Sequence, residues 1–493
     1  MTCALRTTPA TVGHASPRMK VLFLTYDYLT QPLGIASLAS ALKQEGHTAE
    51  VVSVGDHRRQ EHLMSAYAPD ILCLSMITGQ HTRFVERARF IRNRLPGIVV
   101  LAGGPHATFY PECIEESCLD AVCRGEGDIA LPRMVSAIAE SGELPEKLEN
   151  WWIKRPDGAV SKSEVADPIE DLDTLPFPSR EPFDRAAPER SPVALYVMTS
   201  RGCPYNCSYC FNHAYRQLYR GSGKICRRRS VSHVLSEIEM LKSRYPLQIV
   251  VFQDDTFNLN KPWLNEFLDR YPSKIALPFH CHLRADLLDE ESARRLAAAG
   301  CISVKLGLES GSEKVRNGIL HRGMSLAQFE RACDLLRDNH VRFASENILG
   351  IPGTSLEDDL FTYEVNRRAR PDFAFASLMQ VYPRTDIATF VAKQGLARNP
   401  IRRFPESFYE DSSVDIAEKP RRGRLRALFA LCVGLHIPTG LVSLAIRIPI
   451  RKPWEFLDRL WKGYCLRFRL YPYRQSARSF AADLRAYLAN RYF

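Results

Sequence analysis

The sequence predicts an α/β protein with two successive parallel-sheet domains and a mainly helical C-terminal region. Two observations predict this class. Short apolar segments alternate with amphipathic helical segments over residues 19–145, and the same alternation returns over residues 193–400. Such alternation is typical of parallel sheets that are covered by helices. A disordered leader at 1–18, a proline-rich linker at 146–192 and a C-terminal region at 401–493 complete the predicted organisation.

The first series predicts a doubly wound, Rossmann-like domain. Strands are predicted at 21–25, 50–54, 71–75, 98–102 and 120–123, with helices at 32–44, 82–95 and 109–117. Ligands of such domains bind beyond the C-terminal strand ends. A single glycine there would indicate only a tight turn, but three glycine-containing loops at one sheet edge let the backbone approach a ligand closely. The residues predicted to line this site are Ser75, Thr78, Gly103, Gly104, Gly125 and Glu126.

The linker and the second series come next. In the linker, a hairpin is predicted with its first strand at 151–154 and a Pro-Asp-Gly turn at 156–158. Six further strands are predicted at 194–199, 248–252, 277–283, 302–306, 341–348 and 373–381, with five helices between them. A complete barrel needs eight such units, so the sequence predicts a partial (β/α)6 TIM-type barrel. Its chemistry is expected at the C-terminal strand ends.

The C-terminal region contains an unusual apolar segment. Residues 427–446 include no Lys, Arg, Asp or Glu, but Gly434, His436, Pro438 and Gly440 interrupt the middle. Arginines flank the segment on both sides. Three interpretations are open: two short core helices around a turn, a hairpin lying on a membrane surface, or a membrane span. Residues 421–452 are therefore the expected place for any peripheral membrane contact.

Composition restricts the remaining classes. The chain has 66 Lys and Arg against 56 Asp and Glu, a net charge of +10 that is modest for 493 residues. Its basic runs are typical of a solvated face, and we expect no nucleic-acid partner. Most of the 14 cysteines stand singly in apolar segments, as reduced buried thiols do. The leader lacks the apolar core of a signal peptide, which favours a cytoplasmic location, with membrane association as an addition.

One motif carries the chemistry. Cys203, Cys207 and Cys210 follow the first strand of the second domain with the spacing Cys-x3-Cys-x2-Cys. Three thiolates on one loop can bind a soft metal centre. The count of three predicts a [4Fe–4S] cluster with one iron left open to a small chelating molecule. The alternative is a zinc site, for which His213 or the more distant Cys226 would be the fourth ligand.

The cysteine loop, with Tyr209 before its last cysteine, resembles the cluster motif of the radical SAM superfamily. The resemblance continues at residues 252–257, 283–286, 300–312, 348–353 and 382–385, although Arg384 replaces a commoner glycine. It implies that S-adenosylmethionine (SAM) chelates the open iron of the cluster held by the three cysteines. It further implies that SAM is contacted by Tyr209, Asp254, Glu309 and Ser310.

The first domain resembles the cobalamin-binding domains that precede many radical SAM barrels. The resemblance rests on Pro32-Leu33-Gly34 and on the loops at 103–106 and 125–127, and it implies cobalamin at the predicted sheet-edge site. An Asp-x-His-x-x-Gly segment, which supplies an axial histidine elsewhere, is missing because Asp56 and His57 are adjacent. We therefore expect no protein imidazole on cobalt.

Together the resemblances imply a cobalamin-dependent radical SAM methyltransferase. It would move a methyl group from SAM, through methylcobalamin, to an unactivated carbon or a phosphinate of a small-molecule or lipid-like intermediate. An electron donor such as flavodoxin or ferredoxin is implied. An oxidative cyclase or ring-rearranging enzyme is the alternative, and a corrinoid-binding sensor is the non-enzymatic one. A tRNA methylthiotransferase is disfavoured because Cys113, Cys118 and Cys123 are too evenly spaced for a second cluster loop.

Overall fold

The structure is a computed structural model that describes residues 17–26, 32–188, 192–396, 404–405 and 411–474. Most of the predicted leader and the last 19 residues of the C-terminal region lie outside these ranges. The strands are β1 Lys20–Thr25, β2 Thr48–Ser53, β3 Ile71–Ser75, β4 Val99–Gly103, β5 Ala121–Cys123, β6 Trp151–Lys154, β7 Val160–Lys162, β8 Ala194–Val197, β9 Ser200–Arg201, β10 Arg227–Arg228, β11 Ile249–Phe252, β12 Phe279–Leu283, β13 Cys301–Glu309, β14 Arg342–Leu349 and β15 Phe373–Leu378.

The helices alternate with these strands through both domains and then continue alone. They are α1 Leu33–Gln44, α2 His57–His62, α3 His81–Arg94, α4 Gly104–Phe109, α5 Gly127–Ser141, α6 Glu181–Ala186, α7 Phe211–Leu218, α8 Val231–Arg244, α9 Lys261–Lys274, α10 Glu290–Ala298, α11 Glu313–Gly318, α12 Leu326–Asp338, α13 Leu356–Ala369, α14 Asp386–Lys393, α15 Lys419–Gly434, α16 Thr439–Ala445 and α17 Lys452–Tyr464.

The N-terminal sheet confirms the doubly wound prediction. Its strand order is β2-β1-β3-β4-β5-β6-β7, and the first five strands are parallel. β1 is buried on both faces, with Leu22 and Leu24 packed in one core and Val21 and Phe23 in the other. The predicted helix at 109–117 is wrong in its limits, because α4 already begins at Gly104 with Pro105 in its first turn.

The hairpin predicted in the linker is confirmed, and it extends this sheet. β6 pairs antiparallel with β5 and with β7. Trp151 at its start is 1% exposed and donates its indole N–H to the Ala130 carbonyl at 3.1 Å. The antiparallel edge therefore closes the sheet against helix α5.

The second sheet confirms the six-stranded partial barrel. Its order is β15-β14-β13-β12-β11-β8, and every neighbouring pair is parallel. The face toward the helices is apolar and includes a cluster of aromatic rings around Phe252 and Phe267. Alternate residues on the other face, such as His280 and Lys305, are polar. The sheet therefore has one apolar face and one face that carries polar side chains.

The C-terminal region is helical, as predicted. α15 packs on β15 and carries a buried core of its own with Leu425 and Phe429. Helix α15 ends at Gly434 and α16 begins at Thr439, which confirms two helices around a Gly/Pro turn. In the described ranges, no helix combines the length and the apolar character that crossing a membrane requires.

Candidate active site between the two domains

A cavity of about 460 Å³ lies where the C-terminal strand ends of the two sheets face each other. On the N-terminal side it sits at the point where the strand order reverses, between β1 and β3, the usual ligand position of such sheets. On the other side its wall includes Phe211, Asn212 and Tyr215 of α7, directly after the cysteine loop. The cavity is thus built by both domains.

Five of the six residues predicted at the first sheet edge line this cavity: Ser75, Gly103, Gly104, Gly125 and Glu126. Gly104 has φ +86°, and a side-chain carbon there would lie 2.8 Å from the Met76 carbonyl oxygen. A larger residue would therefore disturb the turn that shapes the cavity wall.

Thr78 has a different place from the other five. Its hydroxyl lies 3.0 Å from Nδ1 of His106, a fully buried ring that stacks on His81 with 4.0 Å between centroids. Burial lowers the pKa of His106 to about 3, so the ring is neutral at physiological pH. Asp56 and His57 lie elsewhere, at the start of α2, where the Asp56 carboxylate accepts from the Arg59 amide at 3.1 Å.

Ion pairs join the two domains beside the cavity. Asp128 accepts from both terminal nitrogens of Arg201, at 2.8 and 3.0 Å, and from Ser37 at 2.6 Å. Glu126 accepts from both terminal nitrogens of Arg227, at 2.9 and 2.7 Å. Burial alone would raise the pKa of each carboxyl, but the paired guanidinium groups outweigh it and lower both pKa values. These four charged residues are called the domain clamp below.

Glu126 was predicted as a ligand residue, and its carboxylate is already engaged. Besides Arg227 it accepts from the Ile169 amide at 3.0 Å and lies 3.2 Å from Arg201. The backbone amide of Glu126 donates to the Tyr219 hydroxyl at 3.1 Å. The carboxylate therefore holds the two domains together at the wall of the cavity.

The three cysteines lie on the loop between β9 and α7. Cys207 is 5% exposed, Cys203 and Cys210 are half-buried, and the Cys203 sulfur lies 3.9 Å from the Thr256 hydroxyl. Burial raises the pKa of the Cys203 thiol and raises that of Cys210 to about 12. A bound metal centre would reverse this, because thiolate ligation releases the protons.

Arg322 organises the side of the loop that faces the barrel. Its guanidinium donates to the Tyr209 hydroxyl at 3.0 Å, lies 3.4 Å from the Glu309 carboxylate and lies 4.0 Å from the Cys207 sulfur. Burial raises the pKa of Glu309, while the nearby Arg322 works against that rise. Sequence reasoning missed Arg322, which is 115 residues from Cys207.

Glu309 and Ser310 end β13 at an irregular place in the sheet. Glu309 has φ +64°, and the pairing with β14 shifts register between Gly307 and Glu309. A left-handed non-glycine residue at a strand end is a strained conformation of the kind that clusters at functional sites. Ser310 is 2% exposed, and its carbonyl accepts from Arg316 at 2.7 Å. The backbone thus turns the Glu309 side chain toward Arg322.

Asp254 and its neighbour Asp255 have different surroundings at the end of β11. Asp254 is fully buried, and its carboxylate accepts from the Thr199 amide and hydroxyl and from the Ser200 hydroxyl. It therefore positions the strand end that precedes the cysteine loop. Asp255 lines the cavity, and burial raises its pKa. The geometry favours Asp255 over the predicted Asp254 as a ligand-facing carboxyl.

The residues considered for a zinc site point elsewhere. His213 places Nε2 2.9 Å from the Asp386 carboxylate, and Cys226 is exposed. Within the described residues, no three His, Cys, Asp or Glu side chains converge on a point that one metal ion could fill. A cubane cluster differs from a single ion because its three thiolates bind three separate irons.

Fold and site together define a two-domain α/β protein with a three-thiol loop next to a sheet-edge ligand cavity, whose lining includes Gly202 of that loop. Sequence models of two families match these parts: the radical SAM superfamily over residues 197–364 and the B12-binding domain over residues 19–135. The chain therefore contains a radical SAM domain preceded by a B12-binding domain.

Relatives span most of both regions. An uncharacterized methyltransferase, PH0819, from Pyrococcus horikoshii is 27% identical over 74% of this chain and 79% of its own length. The anaerobic magnesium-protoporphyrin IX monomethyl ester cyclase of Rubrivivax gelatinosus is 26% identical over 75% and 69%. The radical SAM methyltransferase TsrM from Kitasatospora setae, solved with cobalamin and a [4Fe–4S] cluster, superposes with a TM-score of 0.62 at 20% identity over 77% of this chain and 78% of its own. That last likeness is one of fold.

Proposed function

We propose that this protein is a cobalamin-dependent radical SAM methyltransferase. It transfers a methyl group from SAM to an unactivated carbon, or to a phosphinate, of a small-molecule or lipid-like biosynthetic intermediate. The observation that carries the proposal is the single cavity shared by the cysteine loop and the glycine loops. A substrate in that cavity has both cofactor sites within reach. The methyltransferase and cyclase relatives support this class of chemistry.

The cysteine loop fits a [4Fe–4S] cluster. We assign Cys203, Cys207 and Cys210 as its ligands, because three soft donors on one short loop leave one corner for SAM. Arg322 faces Cys207 at 4.0 Å and adds a fixed positive charge beside the ligands.

The sheet-edge loops fit cobalamin. Gly103, Gly104 and Gly125 keep the wall of the cavity free of side chains, so a broad ring system can lie against backbone. Ser75 supplies a polar group at the same edge, and the Thr78 hydroxyl pairs with the His106 ring. His106 itself is fully buried.

Residues on the barrel side hold SAM in the proposal. Tyr209 and Glu309 lie beside Arg322 near the cysteine loop, where hydrogen-bonding groups for an adenosine and an amino acid are required, and Ser310 follows Glu309 directly. When bound, the cluster and SAM supply a hydrogen-abstracting radical, and cobalamin supplies the methyl group. Asp254 keeps the loop in register, and Asp255 faces the substrate space.

Partners complete the proposal. A one-electron donor, such as flavodoxin or ferredoxin, supplies the electron that SAM cleavage requires. The mostly apolar lining of the cavity, including Leu33, Leu38 and Met198, suits a substrate with a substantial apolar part. Peripheral membrane contact through residues 421–452 would deliver such a substrate.

The test is anaerobic reconstitution with iron, sulfide and cobalamin, followed by incubation with SAM that is isotopically labelled in its methyl group. We expect 5′-deoxyadenosine and S-adenosylhomocysteine to form together, and the label to appear in a product when cell extract is added. A Cys207→Ser variant should lose the cluster absorbance and both products. Failure of the wild-type protein to cleave SAM would refute the assignment and would favour a corrinoid-binding sensor.

Oxidative cyclisation is the second candidate, and the protoporphyrin-ester cyclase relative favours it. The same experiment separates the two. A cyclase would form 5′-deoxyadenosine without S-adenosylhomocysteine, and the label would stay in methionine.

A further inference from the structure

Helix α17 is built with its polarity reversed. Phe456, Leu460 and Tyr464 recur at four-residue spacing along one side and are 58%, 47% and 46% exposed. Two charged residues of the same helix, Asp458 and Lys462, face the protein instead. Asp458 accepts from Arg426 of α15 at 2.8 Å, and Lys462 is buried against the Phe375 ring of β15.

The reversal extends beyond α17. Among the described residues, sixteen large apolar side chains are exposed, and ten of them lie between residues 435 and 468. These ten are called the apolar face: Leu435, Leu441, Leu444, Ile448, Ile450, Phe456, Leu457, Leu460, Tyr464 and Phe468. A concentration of this kind marks a binding surface, since single exposed apolar residues are scattered over most proteins.

The elements that carry the face are packed together. A side-chain carbon on Gly434 at the end of α15 would collide with the Trp461 ring of α17, so the two helices touch closely there. Trp454 of α17 packs with Ala445 of α16 in one cluster with the α15 core. The exposed side chains therefore sit on one helical unit.

Positive charge surrounds the face. Arg447 and Arg451 between α16 and α17, and Lys452 at the start of α17, are exposed. Arg467 lies over the Phe468 ring at 5.2 Å, and Arg469 lies 5.5 Å from the Trp461 ring. Residues 435–474 contain only two acids, Glu455 and Asp458, and both pair with arginine.

We propose that the apolar face binds the surface of an anionic lipid bilayer. Exposed Phe, Leu, Ile and Tyr with arginine and lysine around them suit the boundary between acyl chains and negative headgroups. Long basic side chains reach the headgroups while their stems cover apolar surface. A second copy of the chain is the weaker occupant, because two such faces would bring like charges together. This inference does not depend on the proposed methyl transfer.

Sedimentation with vesicles tests it, using the full chain. We expect the protein to pellet with phosphatidylcholine vesicles that contain phosphatidylglycerol, and to bind more weakly in high salt or to phosphatidylcholine alone. The affinity of a Phe456→Ser/Leu460→Ser variant for these vesicles should fall at least about tenfold, because two anchoring side chains are lost. A matched Ile129→Ser/Met240→Ser variant removes two exposed apolar residues elsewhere and should bind as the wild type does.

Three results would overturn the inference. The first is that the wild-type protein fails to pellet with the anionic vesicles. The second is that the Phe456→Ser/Leu460→Ser variant binds them as tightly as the wild type. The third is that the wild type does not bind vesicles but sediments as a dimer, while the variant sediments as a monomer, which assigns the face to a second copy. SAM cleavage in solution should be unchanged in the variant, so a failure here is distinct from a failure of the proposed function.

Discussion

The domain clamp and the apolar face differ in what they leave exposed to solvent. In the clamp, Asp128 and Glu126 are withdrawn from water and matched by Arg201 and Arg227 from the other domain. On α17 the side chains of Asp458 and Lys462 also point into the protein, and apolar side chains such as Phe456 and Leu460 are exposed to solvent. The clamp satisfies its charges within the chain, whereas the apolar face leaves its surface for something else to cover. A contact between domains of one chain satisfies its side chains internally, whereas a docking surface leaves side chains uncovered until a partner binds.

The largest expected effect comes from breaking the clamp. An Arg227→Ala variant removes two charge-assisted hydrogen bonds from Glu126 and leaves that carboxylate half-compensated in a buried place. Loss of one partner from a buried pair costs about 3 kcal/mol of unfolding free energy. Urea denaturation of the anaerobic protein measures it. The control is Lys43→Ala, which breaks the exposed pair with Glu181 and should cost less than about 1 kcal/mol. Equal costs for both variants would contradict a special role for the clamp.

The close approach of the domains is tested at Gly125. Gly125 has φ +79°, and a side-chain carbon there would collide with the Tyr219 hydroxyl of the second domain. We expect Gly125→Ala to cost about 2 kcal/mol or more, from backbone strain and collision together. Gly142→Ala is the matched control, because Gly142 has φ +77° and open space around it. If the two variants lose the same stability, the interdomain contact at Gly125 contributes nothing.

The clamp should also weaken in acid. The pKa values of Glu126 and Asp128 lie below their ordinary values of 4.5 and 3.8, so the folded protein binds fewer protons there than the unfolded chain. The clamp's contribution is therefore complete above those ordinary values and is lost as pH falls through the lowered ones. Urea midpoints measured between neutral and acidic pH should show this loss. A Glu126→Gln variant should show a shallower fall; an identical pH profile would exclude Glu126 as a contributor.

The smallest effect is expected on the apolar face. Phe456→Ser/Leu460→Ser should change the unfolding free energy by no more than about 0.5 kcal/mol per site, because these side chains make little contact within the chain. Thermal denaturation of the detergent-free protein measures it. A loss of several kcal/mol would mean that the face is part of the folded core. Lys462→Ala is the contrasting variant, since that side chain is buried, and it should have the larger effect.

Local patterns made much of this protein predictable from its sequence. The three cysteines could be placed on one loop from the sequence, because they lie within eight residues of chain. The glycine loops were found because parallel strands bring successive βα loops to one edge. Helix α4 was misplaced, since Gly104 looked like a loop residue and the proline that begins the helix was not recognised as its first turn.

Pairings between distant residues could not be read in the same way. Arg322 meets Cys207 across 115 residues, and Arg227 meets Glu126 across 101. Nothing in the local spacing of these arginines distinguishes them from the many that lie on the surface. Asp254 and Asp255 are adjacent, so only the direction of each side chain from the strand end separates the positioning carboxyl from the cavity-facing one.

By itself, the sequence determined the two βα series, the three-thiol loop and the helical character of the C-terminal region, because each is a short-range pattern. Only the tertiary structure decided how these parts face one another. The reason is geometric: periodicity establishes that a helix has an apolar side and a charged side, but packing determines which side meets the protein. In α17 the buried partners Arg426 and Phe375 hold the charged side, and the apolar side is left outside.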